Sequence, residues 1–398
     1  MQGSPPAIEH CVPAIDWDRP PWNRWTFQHM SQILRTAPIH RGRDPYSHTV
    51  NPLQSSPFNI EPLSFKRENG LTSTISRFID DTYTDGLLII HNDQIVHESY
   101  YNGMQPHSLH LGQSVSKSIV ATAASVLFDN GLIDINAPVT DTLPELSATA
   151  WRDATVQQVL DMSTGVRYDE TYDHRDSDVG KTDVACGWKP PPADLDTCNW
   201  PDCVWDQILT LTEKEAEHGS QFHYRSIETE VLGFMMERVT GKRLPQVISD
   251  YLWVPMGAEE DANITVDNLG CSTASGGISA SLRDYARFGK LLLNNGKVGA
   301  KQIIPAWWID DIRSGPHGLF SEEAKDVFTD GCYRNQFWLE DKNKTTHVCL
   351  GVFGQAIYVS QDYNMAAVKL STWPEFLNRE IHRDTMRAFH TIGQALNS

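Results

Sequence analysis

The distribution of apolar positions along the chain changes period several times, and each change marks an element. Gly86-Leu87-Leu88-Ile89-Ile90 and Gln94-Ile95-Val96-His97-Glu98-Ser99-Tyr100 flank Asn92 and Asp93. Two such runs around a pair of turn residues predict a tight β-hairpin. From Ser114 the spacing becomes helical: Ile119, Val120, Ala123, Ala124, Leu127 and Phe128 recur on one side, and Gly131 reads as the left-handed cap. Residues 134–262 read as mainly helical, with helices predicted at 155–162 and 227–240. Residues 172–199 are polar and carry Pro190, Pro191 and Pro192, so they read as a long loop, and long loops often border a site. Helices are predicted again at 281–294 and 305–314. Two apolar strands follow at 352–359 and 365–371, joined by Gln361-Asp362-Tyr363-Asn364, and a last helix at 378–396. The first eighty residues, dense in Pro, Arg, His and Asn, read as an irregular arm with one helix at 24–34.

Strands therefore lie at both ends of the sequence with a helical region between them. The expected fold class is α/β in the α+β sense: one antiparallel sheet flanked by helices, with an inserted helical subdomain. The expected division is an N-terminal arm at 1–82, a sheet domain at 83–115 and 263–398, and a helical subdomain at 116–262.

Charge narrows the function. The 398 residues carry a formal net charge of −18. Phosphate binding needs clustered Lys and Arg, so a nucleic-acid partner is not expected, and an anionic membrane surface is disfavoured. No apolar run is long enough for a transmembrane helix, and residues 1–21 lack the pattern of a secretory signal. Seven cysteines at irregular spacing, with no second close pair beside Cys198 and Cys203, fit free thiols in a reducing cytoplasm. A local bridge from Cys186 to Cys198 or Cys203 stays open.

The chemistry concentrates at Ser114-Val115-Ser116-Lys117. A serine hydroxyl near neutral pH needs a base, and residues three apart on a helix share a face. A lysine in a dry site, close to the positive end of a helix, releases its proton more readily. The Ser114 amide would face an oxyanion. By itself the pattern is common, and its plain alternative is a capping serine beside a solvated lysine.

The context is what makes it specific. Gln113-Ser114-Val115-Ser116-Lys117-Ser118 follows a hairpin and opens a long apolar helix ending Asn130-Gly131-Leu132-Ile133-Asp134. Val156-Gln157-Gln158-Val159-Leu160-Asp161-Met162-Ser163-Thr164-Gly165 comes next. With these motifs in this order, from Pro20-Pro21-Trp22-Asn23-Arg24-Trp25 to Leu370-Ser371-Thr372-Trp373-Pro374, the chain resembles the serine β-lactamase and penicillin-binding-protein superfamily. Within it the chain is most similar to the esterase branch that contains the 6-aminohexanoate-dimer (nylon oligomer) hydrolases. The resemblance implies a β-lactamase/transpeptidase-like fold and an acyl-enzyme on Ser114. It implies Lys117 as base, and Tyr224, in Phe222-His223-Tyr224-Arg225-Ser226, as proton shuttle. Ser226 also reads as a helix N-cap.

The family's Lys-Thr-Gly strand is matched by Gly351-Val352-Phe353-Gly354-Gln355-Ala356, where the Lys and Thr are missing. β-Lactam hydrolysis is therefore not expected. A backbone amide of Val352 or Gln355 would be the second oxyanion donor, with Gly354 allowing close approach. The resemblance further places Tyr172 beside an amide leaving group, Asp183 near a substrate amine, and Ser275 where the family can have Asn. Phe353 replaces a polar residue. A packed loop tyrosine is an equal alternative for Tyr172. His107 and His110 read as rim or structural residues.

No zinc-type His pair, no Gly-x-Ser-x-Gly elbow and no phosphate loop is found, so no metal or cofactor is expected. The expectation is a serine hydrolase of carboxylic esters, extending to small linear amides, with a small-molecule substrate and a homodimer left open. The rivals are a specialised amide or peptide hydrolase, supported by Tyr172 and Asp183, and a non-catalytic binding domain of the same fold.

Overall fold

The computed structural model describes residues 4–42, 53–315, 324–341 and 345–398. Its centre is an eight-stranded sheet. The strand order is Cys332–Arg334, Phe337–Leu339, His347–Gly351, Gln355–Ser360, Met365–Ser371, Thr84–His91, Gln94–Tyr100 and Gln54–Ser55. All pairs are antiparallel except the last, at the edge. The hairpin forms as predicted: Asn92 and Asp93 both adopt positive φ, 49° and 65°, as a two-residue connection with right-handed twist requires. The sheet joins the two ends of the sequence, because Thr84–His91 pairs with Met365–Ser371 in the register Leu88 to Val368.

Both faces of this sheet are covered, and the period-two alternation of its strands sorts them. Leu88, Ile90, Ile357 and Val368 face a core shared with the helices Val115–Asp129 and Leu282–Leu293. Leu87, Ile89, Tyr358 and Ala367 face a second core under Ile75–Asp81 and Arg379–Leu396. Burial of one such aliphatic side chain contributes about 1.5–3 kcal/mol. The Val115–Asp129 helix is buried almost all round, which explains its small residues Ala121, Ala123 and Ala124 and the absence of a polar face. Its end is the predicted one: Gly131 takes φ 69° and the Leu132 amide reaches back to the Leu127 carbonyl.

A second, four-stranded antiparallel sheet was not anticipated. It runs Thr36–Ile39, Ala262–Thr265, Ile278–Ser281, Leu109–Leu111. The N-terminal segment is thus more than an irregular wrap, since it contributes strands to both sheets. Its predicted helix at 24–34 is in fact the short turn Asn23–Thr26 and a 3₁₀ turn at Met30–Gln32. Between the sheets' strands the chain is helical, including Val156–Leu160, whose Thr155 and Gln158 form a capping box, and Ser226–Thr240. The polar stretch at 172–199 is not wholly loop, because it holds the helix Asp178–Ala185, capped by the Ser177 side chain. All seven cysteines are free thiols, so neither Cys198 nor Cys203 is bridged to Cys186. No helix among the described residues is long and apolar enough to cross a membrane.

Candidate active site

The strand Leu109–Leu111 leads into a sharp turn, and the turn presents Ser114. Gln113 has φ 50°, a left-handed value that costs energy for a non-glycine residue. The turn is held by the Gly112 amide on the Ile278 carbonyl at 2.9 Å and by the Val115 amide on the Gly112 carbonyl at 3.1 Å. Ser114 stands at the N-cap position of Val115–Asp129, yet its hydroxyl caps nothing. Its amide has no acceptor among the described residues. The plain alternative of a capping serine and a solvated lysine does not hold, because Lys117 is only 1% exposed.

Lys117 Nζ donates to Ser114 Oγ at 2.9 Å, to Ser226 Oγ at 3.0 Å and to the Ser275 carbonyl at 2.8 Å. It lies 5.2 Å from the centre of the Tyr224 ring. Burial pushes its pKa down to about 8, against the opposing pull of Glu170 and Glu230. Ser114 lies close enough to favour the Tyr224 phenolate, but burial dominates and holds the phenol above its ordinary value. Near neutral pH Tyr224 is therefore a phenol, and the group able to take a proton from Ser114 is the lysine amine. Tyr224 itself is held by Trp338, stacked at 5.5 Å and 25°.

The other predicted residues fall into two sets. Val352, Gly354, Gln355 and Tyr172 line, together with Ser114 and Tyr224, one cavity of about 730 Å³. Residues Val352–Gly354 are not the start of a strand, as the sequence suggested, but a turn between His347–Gly351 and Gln355–Ser360. Phe353 has φ 62° and packs edge-on against Phe27 at 5.3 Å. This bend leaves the Val352 amide without an acceptor among the described residues, and Val352 lines the same cavity as Ser114. The Gln355 side chain braces the bend, donating to the Ser371 carbonyl at 2.6 Å and accepting from the Ser371 amide at 3.1 Å. Gly351 permits the approach of strand to turn: a Cβ there would sit 2.4 Å from the Gly112 carbonyl oxygen.

Asp183 and Ser275 are not among the cavity-lining residues. Ser275 reaches Lys117 through its carbonyl, while its amide donates to Glu230 Oε1 at 2.8 Å. Asp183 sits in Asp178–Ala185, and burial pushes its carboxyl up to about 7 despite Lys189. Ser226 is the first helical residue, with Arg225 at the N-cap, so its hydroxyl serves Lys117 and Glu170 and does not cap the helix. His110 is fully buried, with Nε2 3.1 Å from Asp85 Oδ2, and is a structural residue. His107 is exposed.

Two residues near the centre were not anticipated. Glu230 receives the Ala274 and Ser275 amides and so aims the Ser275 carbonyl at Lys117. Glu170 accepts from the Ser226 amide at 2.9 Å, from the Ser226 hydroxyl, and from the Tyr172 hydroxyl at 2.7 Å. The sequence signal for Glu170 was its place between Tyr168 and Tyr172. Glu230 gave none beyond lying on a helix one turn after Ser226. No group of three or more His, Cys, Asp or Glu among the described residues is arranged to hold a metal.

Comparison with known proteins agrees with this fold. Residues 71–390 match the Beta-lactamase family. The chain is 31% identical over 377 residues to a 6-aminohexanoate-dimer hydrolase of Paenarthrobacter ureafaciens, covering 93% of this chain and 91% of that one. A solved structure from Bacillus anthracis, provisionally named a 6-aminohexanoate-dimer hydrolase, superposes with a TM-score of 0.88 at 28% identity over 98% of each chain. A family VIII carboxylesterase shares the fold, with a TM-score of 0.58 at 18% identity over 79% of this chain and 95% of that one. With a family match across most of its length and a relative of this identity, the chain belongs to the beta-lactamase family of hydrolases.

Proposed function

We propose that this protein hydrolyses carboxylic esters, and small linear amides more slowly, through an acyl-enzyme on Ser114. The observation that carries the reading is Lys117 Nζ, buried and 2.9 Å from Ser114 Oγ, at the edge of a substrate-sized cavity. Ser114 Oγ attacks the carbonyl carbon while its proton passes to the neutral Lys117 amine. The oxyanion forms between the amides of Ser114 and Val352. Collapse breaks the bond to the leaving group, which takes its proton from Lys117 by way of the Tyr224 hydroxyl. Water then attacks the acyl carbon and gives its proton to Lys117. Cleavage of that acyl–oxygen bond returns a proton to Ser114. A cytoplasmic setting fits the free thiols.

β-Lactams fit poorly. The strand end and turn beside Ser114 offer Gly351, Val352 and Phe353, none of them a cation, and Phe353 packs against Phe27. The amide-hydrolase reading is favoured by the 31% identical relative and by Tyr172 lining the cavity.

The test is labelling with a fluorophosphonate followed by peptide mass spectrometry, alongside p-nitrophenyl ester hydrolysis. The adduct is expected on the peptide containing Ser114. Ser114→Ala is expected to remove both labelling and at least a thousandfold of the ester activity while the melting temperature is kept. Full activity in the folded variant overturns the reading.

A further inference from the structure

Lys117 has three polar neighbours, and that raises a directional problem. As an ammonium it donates to all three. As a neutral amine it has two N–H donors and one lone pair, and it works as a base only if the lone pair faces Ser114. The Ser275 carbonyl can only accept, so one N–H is committed there. Ser226 is ambiguous in principle, because a hydroxyl both donates and accepts. If its proton turned toward Lys117, the lone pair would be taken and Ser114 would lose its base.

Glu170 removes the ambiguity. It receives the Ser226 hydroxyl and the Tyr172 hydroxyl on Oε1, and the Ser226 amide on Oε2. A carboxylate only accepts. The Ser226 proton is therefore drawn to Glu170, and the Ser226 oxygen is left to accept from Lys117.

We propose that Glu170 is a positioning residue for the hydrolysis. Its carboxylate fixes the direction of the Ser226 hydroxyl, which in turn leaves Ser114 as the partner of the Lys117 lone pair. The inference rests on the serine-hydrolase reading and adds to it a residue that touches neither Ser114 nor the substrate carbonyl. Glu170→Gln separates this role from mere packing. The new amide can still accept from the Ser226 amide, but its NH₂ would face the Ser226 and Tyr172 oxygens as a donor. The Ser226 proton is then turned back toward Lys117.

The charges facing Lys117 are Glu170 from the loop and Glu230 from the helix Ser226–Thr240. Tyr224 and Tyr172 stand by as neutral phenols. Both carboxylates favour the ammonium, so loss of the Glu170 charge moves the lysine titration to lower pH.

The experiment is the second-order rate of fluorophosphonate labelling at Ser114 against pH, followed by mass spectrometry, for wild type, Glu170→Gln and Tyr172→Phe. This readout needs no knowledge of the natural substrate. For Glu170→Gln the expected result is a plateau rate lowered at least tenfold, with the acid limb displaced to lower pH. Tyr172→Phe leaves the Glu170 charge in place and is expected to keep the wild-type midpoint, whereas a simple loosening of the loop would change both variants alike. An unchanged plateau for Glu170→Gln overturns the proposal wherever its midpoint falls, because loss of charge alone moves the midpoint. Should Glu170→Gln fail to fold, Ser226→Ala is read in its place: a plateau lowered at least tenfold supports the relay, and an unchanged plateau overturns it. Absence of labelling in the wild-type protein would sink the hydrolase reading, and this inference with it.

Discussion

Lys117 must be both buried and able to change charge, and the residues around it set where that change falls. Its amine titrates at about 8, with burial the largest cause. The proposed base acts in its neutral form, so kcat/KM should climb as pH rises through about 8 and level off above it. A pH of 6 then leaves roughly a hundredth of the amine neutral, and the rate should be lower by about that factor. Rates measured from pH 5.5 to 9.5 on one p-nitrophenyl ester check this, and a flat profile would assign the proton to another group. Lys369 shows why depressed basicity alone does not mark a base. It is fully buried, its pKa is pushed down to about 7, and it donates to the Ser371 hydroxyl, but Ser371 is buried too and does not line the cavity that Ser114 lines. At this scale the sequence revealed what lies within a short motif. Ser114 and Lys117 are three residues apart, and Tyr224 carries its own local context. Glu170 and Glu230 act on that motif from distant segments. No spacing rule links them to it until the chain is folded.

Among the elements, the meeting of the Ser114 turn and the strand His347–Gly351 sets how close the Ser114 and Val352 amides of the proposed oxyanion site come. Gly351→Ala would drive a methyl to 2.4 Å from the Gly112 carbonyl oxygen, between the strand and the turn. The strand must then move away, carrying the Val352 amide out of range. Loss of one oxyanion donor costs about 10²–10³ in kcat, so Gly351→Ala should lower kcat by about a hundredfold with a smaller change in KM. Steady-state kinetics on short esters would show it, and an unchanged kcat would remove Val352 from the site. The elements that were legible are those specified locally. The hairpin was set by Asn92-Asp93, and the helix Val115–Asp129 by its period and Gly131. Those missed are short or tertiary in origin. Cys332–Arg334 and Phe337–Leu339 have three residues each, too few to show a period. The Val352–Gly354 turn looks like strand because its residues are apolar, and only packing on Phe27 and the Gln355 brace reveals the bend.

Across the whole molecule the two ends of the chain are bound to each other. Asn23 donates to the Trp373 carbonyl at 2.9 Å, Arg24 donates to the Thr372 hydroxyl at 2.8 Å, and Arg67 meets fully buried Asp384 on the last helix at 2.7 Å. The Glu68 amide donates to the same carboxylate at 2.6 Å. Asp384→Ala leaves Arg67 with Asp81 alone and should cost about 2–3 kcal/mol of stability. A urea titration followed by tryptophan fluorescence would register it as a lowered midpoint, and an unmoved midpoint would show that this clasp is not needed. The central pairing of Thr84–His91 with Met365–Ser371 has one more consequence, in time instead of space. Ser114, Lys117 and Tyr224 leave the ribosome while Val352 and the strand that seats it are still unsynthesised. A chain made only that far therefore holds Ser114 without the second amide of the proposed oxyanion site. That site is complete only once the strand His347–Gly351 has been made and has paired with Gln355–Ser360.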